Sequence, residues 1–205
     1  MIEQAISFLK DEINSFIVNK DFRYRGNEVA MVSDLVDEKG ELTYKKRILA
    51  NAGVSDYLLL TLINVEEEVI GKAQLPYLKH PDQSYDLLNP ELKVNLYVLI
   101  SAVSAMDETE RYTNCLRVLS YAVGFFQYKN VFDKQNAPSL PGGLEKMIVE
   151  LVSPTFEQQN HIWGGMGAKY MPSALYKVRL LVYRETLETK GGATIRRVKN
   201  SLNEN

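Results

Sequence analysis

The chain has 205 residues, 45% of them hydrophobic and 10% aromatic, enough for one domain with its own core. Twenty-four basic residues against 26 acidic give a net charge of −2, so no global positive field draws it to nucleic acid or to an anionic membrane. A single cysteine, Cys115, excludes an internal disulfide.

The first residues, MIEQAISFLKDEINSF, carry acids where a secretory leader would carry Lys or Arg, which favours a soluble protein made in a cytoplasm. Ile2, Ala5, Ile6, Leu9, Ile13, Phe16 and Ile17 recur at helical spacing and predict an amphipathic helix over 2–17. A short strand is expected over 29–36, closed by the turn DEKGE at 37–41. The basic patch TYKKR, 43–47, is short for a nucleic-acid contact and reads as a solvated loop or strand end. Residues 56–69, DYLLLTLINVEEEV, are apolar on both alternating sets, as in a strand covered on both faces. The acidic run Glu66–Glu68 reads as its solvated tip.

The stretch 70–91, with Pro76, Pro81 and Pro90, is expected to be a long surface loop. Over 92–104 the pattern alternates, with Leu92, Val94, Leu96, Val98 and Ile100 on one face of a strand. Residues 109–128 predict a helix whose buried stripe is Tyr112, Cys115, Leu116, Leu119, Ala122, Val123 and Phe126. Cys115 lies inside that stripe and reads as a buried hydrophobe, not a nucleophile. A loop over 133–143 precedes a strand over 145–152, with Met147, Val149 and Leu151 on one side. The last strand is expected over 174–187, setting Tyr176, Val178, Leu180 and Val182 against Lys177 and Arg179. From Glu188 the chain is polar and locally basic, so residues 1–187 are expected to form the domain and 188–205 a flexible tail. The fold class is α/β of the α+β type: one mixed or antiparallel sheet with helices packed against it.

Residues 153–173, SPTFEQQNHIWGGMGAKYMPS, concentrate the unusual chemistry: the only tryptophan, one of two histidines, and three glycines in four positions. A dinucleotide loop places its glycines between a strand and a helix N-terminus. Here either Thr155 with Gln158, as a capping box, or Ser153 ahead of Pro154 starts a helix, and the glycines fall at its C-terminus. That end is the negative pole of the helix dipole, wrong for phosphate. Gly164 is expected as the residue just past the helix that tolerates positive φ. His161 reads as a helix-end histidine whose charge complements the dipole; a catalytic set that meets it only in space is the rival reading. No zinc-ligand spacing and no G-x-S-x-G motif occurs, and no cofactor is called for. Trp163 and Tyr170 either plug the side of the core or anchor a protein partner.

Three segments, LKVNLYVLISA, YTNCLRVLSYAVGFFQYKNVFD and MIVELVSPTFEQQNHIWGGMGAKYMPSALYKVRLLVY, resemble a known family. They are similar to the cap, or tail-terminator, proteins of phage-tail-like extracellular contractile injection systems, over most of residues 1–187. The densest match is F-E-Q-Q-N-x-x-W-G-x-x-G-A-K-Y-x-P-S-x-x-Y-K-V-R. The resemblance implies a structural protein, not an enzyme, that ends tube and sheath polymerisation, with an α/β domain arranged as a homo-hexameric ring. Its partners would be itself and the sheath and inner-tube proteins, with neither nucleic acid nor membrane. It would assemble in the cytoplasm as part of a particle that can be released from the cell. Candidate contacts with another subunit, sheath or tube are Trp163, Lys169, Tyr170, Lys177, Arg179, Arg196 and Arg197. Two rival readings are a monomeric adaptor linking cargo or chaperone to such a particle, and a small-molecule enzyme using His161. Some family members carry further C-terminal sequence, whose roles are not transferred to this chain.

Overall fold

A computed structural model describes residues 1–43, 54–68, 77–79, 85–87, 93–105 and 108–182. In chain order the elements are α1 (Ile2–Lys20), β1 (Ala30–Val32), β2 (Asp56–Glu67), β3 (Tyr77–Lys79), β4 (Tyr85–Leu87), β5 (Lys93–Ser104), α2 (Glu108–Tyr128), β6 (Val131–Asp133), β7 (Leu144–Val152), α3 (Phe156–Gly165) and β8 (Ser173–Val182). A 3-10 turn at Phe22–Tyr24 follows α1. Six strands form one sheet in the order β1-β2-β5-β8-β7-β6. β1 runs parallel to β2 and the other neighbours pair antiparallel, so the sheet is mixed, one of the two arrangements expected. β3 and β4 form a separate small hairpin inside the stretch read as a plain loop.

Alternation along each strand divides the core into two layers. On the first face Leu58 and Leu60, Val94 to Ala102 at every second position, Met147, Val149, Tyr176, Val178 and Leu180 meet α1 and α2. Burying a large apolar side chain there contributes about 1.5–3 kcal/mol. Aromatic edges lock the helices down: Phe8 meets Phe132 at 5.4 Å, Phe16 meets Phe125 at 5.2 Å, and Phe126 meets Tyr176 at 4.8 Å. On the second face a smaller cluster of Leu35, Tyr57, Leu59, Leu99, Val103 and Leu175 receives Trp163 from α3.

Several expectations change. α1 continues past residue 17 to Lys20. The strand expected over 29–36 is only Ala30–Val32; beyond it the DEKGE turn forms as expected, with Asp37 accepting from the Lys39 and Glu41 amides and Gly40 at φ 76°. β2 is covered on both faces only from Asp56 to Leu60, because beyond that point the residues of both faces lose their cover. In α2 the buried stripe is Cys115, Val118, Ala122, Phe125 and Phe126. Tyr112 (61% exposed) and Leu116 (41%) turn outward, since packing of Phe125 against α1 and Phe132 rotates the helix away from the stripe the periodicity favoured. β6 falls between the helix expected over 109–128 and the loop expected over 133–143, overlapping only Asp133 of the latter. Residues 44–47 of the basic patch, His80, residues 183–187 of the last strand, and the tail with Arg196 and Arg197 lie outside the described residues.

Candidate functional site

α3 starts as one of the two caps allowed by its sequence. The Gln158 amide donates to Thr155 Oγ1 at 3.2 Å, and the Thr155 amide donates to Gln158 Oε1 at 2.9 Å. This reciprocal capping box satisfies two otherwise orphaned donors. Along the helix only Trp163 is buried, at 5% exposure, so the indole acts as the peg that fastens α3 to the sheet. The helix ends one turn later than expected. Gly164 is still helical, Met166 is the C-cap, and Gly167 takes the left-handed conformation at φ 65°. The Gly167 amide donates to the Gly164 carbonyl and the Ala168 amide to that of Trp163, which turns the chain back toward β8. The positive-φ position expected at Gly164 therefore falls at Gly167 instead.

That reversal presents Lys169 and Tyr170. Tyr170 is 61% exposed, with its ring edge-on to Trp163 at 5.6 Å, so the buried indole orients the exposed tyrosine. Both residues line a groove of about 640 Å³ whose far wall includes Arg111 and Tyr112 of α2.

Lys177 and Arg179 project from β8 on the same second face, beyond the part α3 covers. Lys177 stands opposite Tyr97 of β5 and Glu150 of β7, and Arg179 opposite Asn95 and Ile148. The Tyr97 hydroxyl donates to Glu66 Oε2 at 2.9 Å, Lys177 lies 3.9 Å from the same oxygen, and Arg179 pairs with Glu150 at 2.9 Å. The Lys177 ammonium also sits 5.7 Å from the Tyr97 ring centre. The result is a ladder of opposite charges across four strands, each pair worth a few tenths of a kcal/mol up to about 1. Sequence reasoning found the two cations and treated Glu66 as a bare strand tip. It missed Tyr97 and Glu150, because only cross-strand register makes them neighbours. Of the five described candidates, Trp163, Lys177 and Arg179 lie on the second face, and Lys169 and Tyr170 lie in the turn that lines the groove reaching α2.

The remaining polar clusters are structural in geometry. Asp56, buried at the start of β2, accepts from Tyr24 Oη at 3.1 Å and from Ser104 Oγ at 2.6 Å. Burial raises the Tyr24 hydroxyl well above its ordinary pKa, so it stays protonated and donates. Asp21 accepts from Arg23 and, at 2.9 Å, from the Tyr121 hydroxyl; the Arg23 bonds hold its carboxyl well below the usual carboxylate range. Together they tie the end of α1 to α2 and to the ends of β2 and β5. His161 stands exposed on α3, and Cys115 is buried, with desolvation pushing its thiol pKa up. Among the described residues no group of three or more His, Cys, Asp or Glu side chains is placed to hold a metal ion, and no helix is long and apolar enough to cross a membrane.

Two solved structures share this fold. One is the PVC sheath/tube terminator of an extracellular contractile injection system in its extended state, with a TM-score of 0.53 and 13% identity over 95% of this chain and 63% of that one. The other is the anti-feeding prophage cap, a tube-terminating cap, with a TM-score of 0.52 and 12% identity over 93% of this chain and 60% of that one. The present chain therefore spans less than two thirds of either matched chain, and at such identities the likeness is one of fold. No curated protein matches the sequence. A family model, that of the Pvc16 N-terminal domain, matches residues 6–197, and the chain belongs to that family.

Proposed function

We propose that this chain is a cap that terminates the tube and sheath of a contractile injection particle, acting as a homo-hexameric ring at the end of the particle far from its baseplate. The observation that carries the reading is that two sheath- or tube-terminating caps share its fold along 95% and 93% of its length. Closed rings need a heterologous interface, one patch meeting a different patch, and closure limits the assembly. The turn after α3 and the second face of the sheet supply candidates for such a patch in Lys169, Tyr170, Lys177 and Arg179. Trp163 contributes by holding the Tyr170 turn in place, and Arg196 and Arg197 belong to a tail, 188–205, that follows the 1–187 domain. The reading assigns the chain no catalysis, cofactor, nucleic acid or membrane. Its partners are other copies of itself and the sheath and inner-tube proteins, met in the cytoplasm during assembly.

Electron microscopy of particles from the producing strain, with and without this chain, tests the proposal. Removal is expected to give unrestrained tube and sheath lengths or unstable, open-ended particles. Normal lengths with intact blunt ends would overturn it and favour an adaptor.

A further inference from the structure

Two features at opposite ends of α3 complement each other. At its start Phe156 is 88% exposed, the most exposed large apolar side chain among the described residues. The Thr155–Gln158 box fixes the backbone that carries it. Glu157 beside it is exposed too, and no described cation pairs with its carboxylate. Past the other end of the helix lies the groove of about 640 Å³. Leu42 and Met171 line it together with Tyr112 and Tyr170, each tyrosine 61% exposed. Arg111 and Lys169 line it as well, both exposed, and among the described residues neither has a carboxylate partner. Of the facing 37–41 turn only Gly40 lines the groove, and Asp37 accepts from the Lys39 and Glu41 amides of that turn. An apolar groove with aromatic rims and two unpaired cations fits an aromatic side chain followed by a carboxylate.

Charge separates Phe156 from the other strongly exposed aromatics. Phe22, 78% exposed, follows an acid, but the Asp21 carboxylate is buried and paired with Arg23. Tyr128, 82% exposed, precedes Lys129, a cation like those of the groove. Of these three, only Phe156 has an unpaired acid beside it. Within one chain Phe156 and the groove cannot meet. The 10 residues of α3 hold them about 15 Å apart, and Trp163 fastens the helix to the sheet. Phe156 follows β7, on the β6 side of the sheet, whereas the groove gathers the end of β5 and the segment after β1, the opposite edge. A patch toward one edge that fits a different patch toward the other is the heterologous contact that a closed ring repeats. We propose that Phe156 and Glu157 of one copy dock into the groove of the next, the ring between Tyr112 and Tyr170 and the carboxylate toward Arg111 and Lys169. This rests on the ring proposed above, of which it names one joint.

The test compares full-length Phe156→Asp, Glu157→Lys and Lys169→Glu with a chain carrying both charge swaps. All three positions are exposed, so melting temperatures should stay close to the native one. Association is read by light scattering of the purified chain and by its retention on purified particles. Each single variant is expected to weaken association by about tenfold or more, because like charges meet or a carboxylate enters an apolar groove. The combined swap should recover most of that loss, since only a contact between copies carries both partners on one chain. Adding Lys169→Glu to Phe156→Asp should recover nothing. Single variants that associate like the native chain, or a combined swap no better than either single one, would overturn the proposal. So would a native chain that associates with itself in neither preparation, or a loss confined to Lys169→Glu, which would assign the groove to the sheath or tube protein. If the swap restores association but deleting the chain leaves tube and sheath lengths normal, the joint stands and the cap reading falls. If deletion frees the lengths while the swap restores nothing, the cap reading stands and the joint falls.

Discussion

The two faces of the sheet are built from the same strands yet treated differently. The first is roofed by α1 and α2, helices of 19 and 21 residues, and its side chains are fully buried from Leu58 across to Val149. The second is covered by α3, of 10 residues, and by the segment around Leu35, and beyond Leu175 it is left to Lys177, Arg179 and their carboxylate partners. One face therefore holds the fold together, while the other combines a small core with a charged surface of exposed ion pairs. Stability and function should separate along this division.

Phe132→Ala on the first face breaks contacts with Phe8, Phe125 and the Lys129 ammonium, and is expected to cost about 3–5 kcal/mol. Trp163→Ala on the second should cost less, about 3 kcal/mol, because α3 can lift without opening the first face. Denaturant melts of both variants, with hydrogen exchange to show whether α3 alone loosens, check the ranking. Equal, global losses would erase the distinction between the faces.

A smaller effect is expected where α1 is tied to α2. Asp21→Asn should lose about 1–2 kcal/mol near neutral pH, the lower part of the range for hydrogen bonds to a charged partner, since Arg23 is half exposed. Because the folded carboxyl titrates below its unfolded value of about 3.9, its contribution is complete above that pH and is lost as pH falls. Melting temperatures from pH 6 down to 2 should show a shallower acid slope in the variant.

The glycine cluster offers a pair of opposite sign. Gly167→Val forces a β-branched residue into φ 65° and should cost about 1–2 kcal/mol, although its Cβ would meet open space. Gly164→Ala, in a helical position with equal room, should stabilise by about 0.5–1 kcal/mol. Thermal melts that reversed the two signs would move the helix stop back to Gly164. Smallest for stability is Arg179→Ala, within about 1 kcal/mol because its pair with Glu150 is nearly half exposed. If the proposed ring forms, its effect should appear in assembly measured by light scattering; unchanged assembly would remove Arg179 from the proposed interface.

Local sequence was a good guide where a single period or cap carried the information. The Thr155–Gln158 box, the alternation from Val94 to Ile100 and the turn at Gly40 all formed from residues a few positions apart. The candidate site was legible in pieces: its cations were visible, but their partners Glu66, Tyr97 and Glu150 come from three other strands.

What the sequence by itself determined was the three helices and the long strands, the α+β class and the position of the glycines at a helix C-terminus, because these rest on spacing and capping. Tertiary structure alone decided which side of α2 is buried, where α3 stops, and how far β6 pairs along β7. Two adjacent apolar stripes on a helix are equivalent to a periodicity count, and only the aromatic contacts of Phe125 with α1 and β6 choose between them. Likewise, a strand carries no local signal that its neighbour ends at Ile148.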